Sequence, residues 1–248
     1  MAGMTWSEAV DVIEPHVVRI STPQASGTGF LIANARNNTM CGVATAAHVV
    51  DHAHYWEEPI RIDHASSGKS LVVRRHERAL FLDGARDTAA LIFNRGDLPL
   101  PPDPLGLAPK DKFLRVGNKI GWIGFPAIPA ASLCFFSGDI SAWLHAQTAY
   151  LVDGVAINGV SGGPAFHIVE STPPAVMIVG VVSAYVPNRA TGEVLPGLSV
   201  VRDVSQFHEL VPAFVSLDQA REAESPAEAP PPKPEAEGVT DTPMKRAT

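Results

Sequence analysis

Asn158-Gly159-Val160-Ser161-Gly162-Gly163-Pro164 sets a serine inside a turn made of glycines. Gly159 and Gly162 permit backbone angles that a Cβ forbids, so consecutive amides can turn toward one point. A serine hydroxyl is a poor nucleophile unless a base removes its proton as it attacks. Histidine does this best when a carboxylate fixes its tautomer. Upstream, Thr45-Ala46-Ala47-His48 offers the imidazole, and Arg86-Asp87-Thr88-Ala89-Ala90-Leu91 offers a carboxylate at the mouth of an apolar run. Asp83 competes for that role, but only Asp87 abuts the run. The candidate catalytic residues are therefore Ser161, His48 and Asp87. The N–H groups of Gly159 and Ser161 are candidate oxyanion donors, each worth about 10²–10³ in rate.

Each residue also has a plainer reading: a glycine hairpin with an incidental serine, a surface histidine, a turn aspartate. His48, Asp51, His52 and His54 lie close enough to suggest a metal cluster, but no further ligand pattern supports one. No metal and no cofactor are expected. Gly159-Val160-Ser161-Gly162-Gly163 also matches the G-x-S-x-G nucleophile elbow of α/β-hydrolases. That fold needs the order Ser, acid, His with alternating helices. Here the order is His48, Asp87, Ser161, and strand-like runs follow the serine.

Short β-branched or aromatic runs punctuated by Gly, Pro, Asn and Asp dominate the chain. One series comprises 17–21, 29–33, 40–45, 59–63, 70–75 and 89–93. The proline-rich stretch 97–104 reads as a connector. A second series comprises 119–125, 133–140, 149–152, 164–169, 175–184 and 197–201. Two six-strand sets predict an all-β protein of two antiparallel six-stranded β-barrels. Thr5-Trp6-Ser7-Glu8 is a capping box that predicts a short N-terminal helix ending before Pro15. Residues 202–211 predict a short C-terminal helix. The expected organisation is an N-terminal helix (1–16), a first barrel with His48 and Asp87 (17–104), a second barrel with Ser161 (105–216) and a disordered Pro/Ala/Glu-rich tail (217–248).

The 248 residues are 46% hydrophobic, enough for a large core. A net charge of -7 with no basic stripe argues against nucleic acid as a partner. Cys41 and Cys134 lie in separate apolar runs and read as two buried free thiols rather than a disulfide. The first twenty residues have no basic start followed by an apolar run, and no stretch reaches membrane-span length. The expectation is a cytoplasmic protein with no membrane partner.

Taken together, these motifs resemble the trypsin-like serine peptidases, in particular the bacterial branch that includes the HtrA (Deg) proteases. The resemblance runs from about Val17 to Val204 and adds Ser26-Gly27-Thr28-Gly29-Phe30, Ile123-Gly124-Phe125-Pro126, Ser137-Gly138-Asp139-Ile140-Ser141 and Gly180-Val181-Val182-Ser183-Ala184 to the three motifs above. It implies a serine endopeptidase working through an acyl-enzyme, with Ser161 as nucleophile, His48 as general base, Asp87 as orienting acid and the Gly159 and Ser161 amides as the oxyanion hole. It also implies that Ser183, Ala184 and Tyr185 align the substrate as an added strand. Val155, Ala156, Tyr185 and Gly197 would line the specificity pocket. With no charge at its base, the pocket is expected to take small or medium aliphatic P1 side chains.

The chain departs from the family pattern at three points. Val160 stands where zymogen-type members keep an aspartate, the stretch after the peptidase region reads as a tail rather than a PDZ-like domain, and the first residues do not read as an export signal. The expected partner is a protein or peptide substrate, and restraint of an intracellular member would come from a regulatory protein partner, from narrow specificity or from an unformed oxyanion hole. The competing reading is a latent or non-proteolytic module of the same fold that binds extended peptides.

Overall fold

A computed structural model describes residues 3–37, 39–128, 132–187 and 194–224. Helix α1 (Trp6–Ile13) begins at the expected capping box: the Glu8 N–H donates to Thr5 Oγ1, and the Thr5 N–H donates back to Glu8 Oε2 at 2.7 Å. Its buried face carries Ala9 and Ile13, and Trp6 packs against Phe135 and Phe166 of the second half. Pro15 lies two residues past Ile13, in a 3-10 turn (Glu14–His16), and cannot continue the α-helix.

The first half is an antiparallel sheet of β1 (Val17–Ser21), β2 (Ser26–Asn34), β3 (Met40–Thr45), β4 (Ile60–His64), β5 (Ser70–Val73), β6 (Arg78–Asp83) and β7 (Thr88–Asn94). Its order is β5-β4-β1-β2-β3-β7-β6. Seven strands form where six were expected. The extra one is β6, whose run Arg-Ala-Leu-Phe-Leu-Asp is framed by charges that mask its alternation. Helix α2 (Ala47–Tyr55) leaves the end of β3 and buries Ala47, Val49, Val50 and Ala53.

The second half is a closed barrel of β8 (Lys119–Gly124), β9 (Cys134–Leu144), β10 (Ala149–Asp153), β11 (Pro164–Val169), β12 (Ala175–Pro187) and β13 (Val194–Asp203), in the order β10-β13-β12-β11-β8-β9. The molecule is thus mainly β, a chymotrypsin-like two-barrel fold in which the first half is a seven-stranded half-barrel and the second a closed barrel, with a helix at each end. One apolar cluster joins the halves: Phe30, Ile32, Ala44 and Ala90 of the first sheet pack with Ile123, Val160 and Val182 of the barrel. The junction is a shared core rather than a wet seam.

Helix α3 (Phe207–Glu224) is longer than expected and starts later, because residues 202 and 203 complete β13. It carries the chain past 217, where the change of composition reads as disorder. The run Ser216-Leu217-Asp218-Gln219-Ala220-Arg221-Glu222-Ala223 is polar but made largely of good helix formers. Tertiary anchors hold the helix: Phe214 packs with Ala33, Ala35 and Ile92, and Asp218 Oδ2 accepts the Arg36 N–H at 3.0 Å. The rest of the expected tail lies outside the described residues. Among the described residues, no helix is long and apolar enough to cross a membrane.

Both cysteines are free thiols, but only Cys41 is fully buried, and burial pushes its pKa up to about 12. Cys134 is half-buried, because it opens β9 at the surface instead of facing the core.

Candidate active site

His48 sits in the first turn of α2, delivered there by β3. Asp87 precedes β7, which pairs with β3 in register from Thr45↔Ala89 to Met40↔Asn94. This pairing brings two residues distant in sequence to one end of the sheet. Asp87 has φ +52°, in the left-handed region that Asp and Asn enter more readily than other side-chain-bearing residues. So placed, its carboxylate accepts from the His48 backbone N–H at 3.0 Å and from Nδ1 at 2.9 and 3.0 Å. An ionised carboxylate only accepts, so Nδ1 carries the proton and Nε2 keeps its lone pair in the neutral ring. Asp83 does something else: its Oδ1 accepts the N–H groups of Ala85 and Arg86 and closes the turn before Asp87.

The two groups tune each other. The hydrogen bond to Asp87 raises the His48 pKa, partial burial opposes this, and the charges of Asp87 and Asp51 add to the rise. Burial alone would raise the Asp87 pKa. The hydrogen bonds from His48 and Ser183, together with the His48 charge, outweigh it and hold the carboxyl below its usual range. Ser183 on β12 donates its hydroxyl to Asp87 Oδ2 at 2.5 Å. Sequence reading placed Ser183 only along the substrate, because no local pattern marks a hydroxyl that meets a carboxylate 96 positions away.

The turn around Ser161 is held peptide by peptide. The Asn158 carbonyl accepts from Ala127 N–H at 2.6 Å, and the Val160 carbonyl accepts from Gly163 N–H at 2.9 Å. In a trans peptide the N–H points opposite its C=O. The amides of Gly159 and Ser161 therefore point away from those partners, and among the described residues neither donates a hydrogen bond. Glycine is required twice here. Gly159 has φ +90° and a Cβ there would lie 2.3 Å from the Phe125 carbonyl oxygen, while Gly162 has φ +87° and its Cβ would lie 2.0 Å from the Thr28 carbonyl oxygen.

His48, Asp87, Ala156, Ile157, Asn158, Ser161, Ser183 and Ala184 line one cleft of about 320 Å³. The three candidate catalytic residues thus share a cavity. His48 and Asp87 are hydrogen-bonded, but no hydrogen bond joins Ser161 to His48: Ser161 Oγ donates instead to the Ser183 carbonyl at 3.5 Å. Of the expected substrate-contact residues, Ala156, Ser183 and Ala184 line the cleft. Val155 is half exposed and absent from the lining, as is Gly197, whose carbonyl is engaged by Gly154 N–H at 2.6 Å. The Tyr185 side chain lies outside the described part of the structure. Ile157 and Asn158, which the sequence did not single out, line the cleft as well. The histidines beyond His48 form no metal-binding group among the described residues, and His52 pairs with Glu58 at 3.0 Å.

A model of the trypsin-like peptidase domain matches residues 27–172, more than half of the chain. The chain belongs to the trypsin-like peptidase family. As a member it is a serine endopeptidase, and peptides or proteins are its substrates. Solved structures with the same fold include the serine endoprotease from Yersinia pestis, at 17% identity and a TM-score of 0.60 over 87% of this peptidase and 68% of that chain. Deg5 matches at 18% identity and a TM-score of 0.59, over 87% of this peptidase and 98% of that chain. The Rv3671c protease of M. tuberculosis H37Rv in its inactive form matches at 18% identity and 0.58, over 86% and 98%. At these identities the likeness is one of fold. No curated protein sequence matches this peptidase.

Proposed function

We propose that this peptidase cleaves peptide bonds with Ser161, His48 and Asp87 as its catalytic triad. Ser161 Oγ attacks the scissile carbonyl carbon while His48 Nε2 takes the hydroxyl proton. The carbonyl oxygen becomes an oxyanion that the Gly159 and Ser161 amides receive. The His48 proton then passes to the leaving amine nitrogen as the C–N bond breaks, which leaves an ester on Ser161. Water, losing a proton to His48, hydrolyses that ester. The observation that carries this reading is the His48 imidazole held by Asp87 at 2.9 Å on a cleft whose other wall is Ser161 and its unbonded amides. In this reading a step between staggered χ1 wells turns the Ser161 hydroxyl from the Ser183 carbonyl toward Nε2, and such bonds often tighten only when substrate binds.

Substrate choice follows from the wall of the cleft. Beside Ser161 it is built from Ala156, Ile157 and Ala184, and among the described residues no charged side chain apart from the triad lines it. A Lys or Arg side chain entering there would lack a counter-charge, so small or medium aliphatic P1 residues are the proposed preference.

The Ser161 hydroxyl turned to the Ser183 carbonyl favours a second reading, a latent resting form that substrate or a partner must re-aim. Treatment with a fluorophosphonate and mapping of the adduct separates the two. Labelling at Ser161 in the isolated protein, lost in His48→Ala, is the result expected of a competent triad. Wild-type protein that stays unlabelled from neutral to alkaline pH excludes it and leaves the latent form.

A further inference from the structure

We infer that Thr28 is a positioning residue for the oxyanion turn, acting across the junction of the two halves. The inference rests on the triad and oxyanion reading above. Thr28 lies on β2 of the first sheet and is fully buried. Its backbone N–H donates to the Ser161 carbonyl at 2.8 Å, and its Oγ1 donates to the Gly159 carbonyl at 2.9 Å. The same Oγ1 accepts the Phe125 N–H at 3.0 Å, and the Thr28 carbonyl accepts the Thr45 hydroxyl at 2.7 Å. One residue therefore grips the serine turn at two carbonyls. It also ties them to the end of β3, three residues before His48.

What these bonds do follows from peptide geometry. Each peptide is a rigid plane, so the oxyanion amides aim correctly only if the planes around them are fixed. The plane between Asn158 and Gly159 is held through Ala127, and that between Val160 and Ser161 through Gly163. The plane between Gly159 and Val160 hangs on Thr28 Oγ1 and a 3.0 Å bond from Val160 N–H to the Ile157 carbonyl. The plane between Ser161 and Gly162 hangs on the Thr28 amide and on a bond from Gly162 N–H to the Val182 carbonyl. Gly159 bends freely, so a lost bond at its carbonyl loosens the plane that links the two amide-bearing planes, and the Gly159 and Ser161 amides lose their common aim.

A valine at position 28 keeps the shape and the backbone bond but removes the hydroxyl, stranding both the Gly159 carbonyl and the Phe125 N–H. A serine restores the hydroxyl. Both are compared with wild type by the second-order rate constant for fluorophosphonate labelling of Ser161, with Ser161→Ala as blank. The phosphoryl oxygen of that reagent seeks the same two amides as a scissile carbonyl oxygen. Thr28→Val is expected to label about 10²-fold more slowly but to full final stoichiometry, the loss of one oxyanion donor. Thr28→Ser is expected to recover to within about threefold, a small residue of that same donor effect.

A Thr28→Val protein that labels at the wild-type rate overturns the inference, and so does a Thr28→Ser as slow as the valine. A Thr28→Val whose labelled fraction and thermal midpoint fall together, with a normal rate in the surviving fraction, shows a merely structural threonine and overturns it too. Wild type unlabelled at Ser161 defeats the triad reading first, and this inference with it.

Discussion

Ser183 donates its hydroxyl to Asp87 Oδ2 across 2.5 Å, so the acid that holds His48 in the first half is itself held by a strand of the second. Asp87 thereby accepts from the His48 ring, the His48 amide and Ser183. Carboxylates bonded this way stay ionised and fixed. Ser183→Ala removes one charge-assisted bond and leaves the His48 contacts in place. The expected loss in kcat/KM is about tenfold, or about 1.4 kcal/mol, just under the roughly 1.5–3 kcal/mol typical of a hydrogen bond to a charged group. Wild-type turnover in the alanine variant would show that the two halves do not communicate through this bond.

The pH profile gives a second check. Protonated His48 cannot accept the serine proton, so activity is lost as pH falls through the pKa of its ring. The hydrogen bond to Asp87 sets that pKa above the ordinary 6.5, which places the acid limb of kcat/KM above 6.5. Asp87→Asn removes both the bond to an anion and its charge. The limb is then expected to move to lower pH, and the plateau to fall by about 10⁴ through the wrong tautomer. A limb that keeps its position in Asp87→Asn would remove Asp87 from the site.

Some of this was legible before any coordinates. His48, Asp87 and Ser161 stand in local contexts with chemical meaning, and the apolar runs that become β1, β3 and β7 are written in consecutive residues. The contributions of Thr28 and Ser183 were not legible. Each acts through a bond to a residue about a hundred positions away, and a lone hydroxyl in an apolar strand looks like any other. Ile157 and Asn158 were missed among the cleft-lining residues for a related reason: which side chains face a cleft depends on the path of the chain before Gly159. Helix α3 outran its expected end because tertiary bonds, from Phe214 and Asp218, hold a segment whose composition alone suggests disorder.

That helix supplies a third prediction. Phe214 fills a small cluster with Ala33, Ala35 and Ile92, where α3 packs on the first sheet. Phe214→Ala is expected to cost about 3–4 kcal/mol of unfolding free energy, a transfer loss plus an unfilled cavity. Asp218→Ala removes the acceptor for the Arg36 N–H and is expected to cost about 1–2 kcal/mol. Urea titration measures both. The Ser161 labelling rate of the folded variants is expected to match wild type, and a matching drop in both quantities would mean that α3 shapes the cleft as well as the sheet.

Gly162 tests how tightly the serine turn is packed against the first sheet. Its φ of +87° already disfavours a side chain, and an added Cβ would meet the Thr28 carbonyl oxygen at 2.0 Å and Thr45 Oγ1 at 2.3 Å. Neither neighbour can yield cheaply, since the Thr28 carbonyl is bonded to the Thr45 hydroxyl and its residue to the turn itself. Strained backbone costs about 1–3 kcal/mol at a non-glycine residue, and overpacking adds about as much again. Gly162→Ala is therefore expected to lose about 3–5 kcal/mol in urea unfolding, and to label at Ser161 more slowly wherever it still folds. Gly84 provides the matched control, because nothing lies within 4 Å of a Cβ there. Equal, small losses at both positions would mean that the turn has room the packing denies, and that Thr28 and Thr45 do not clamp it.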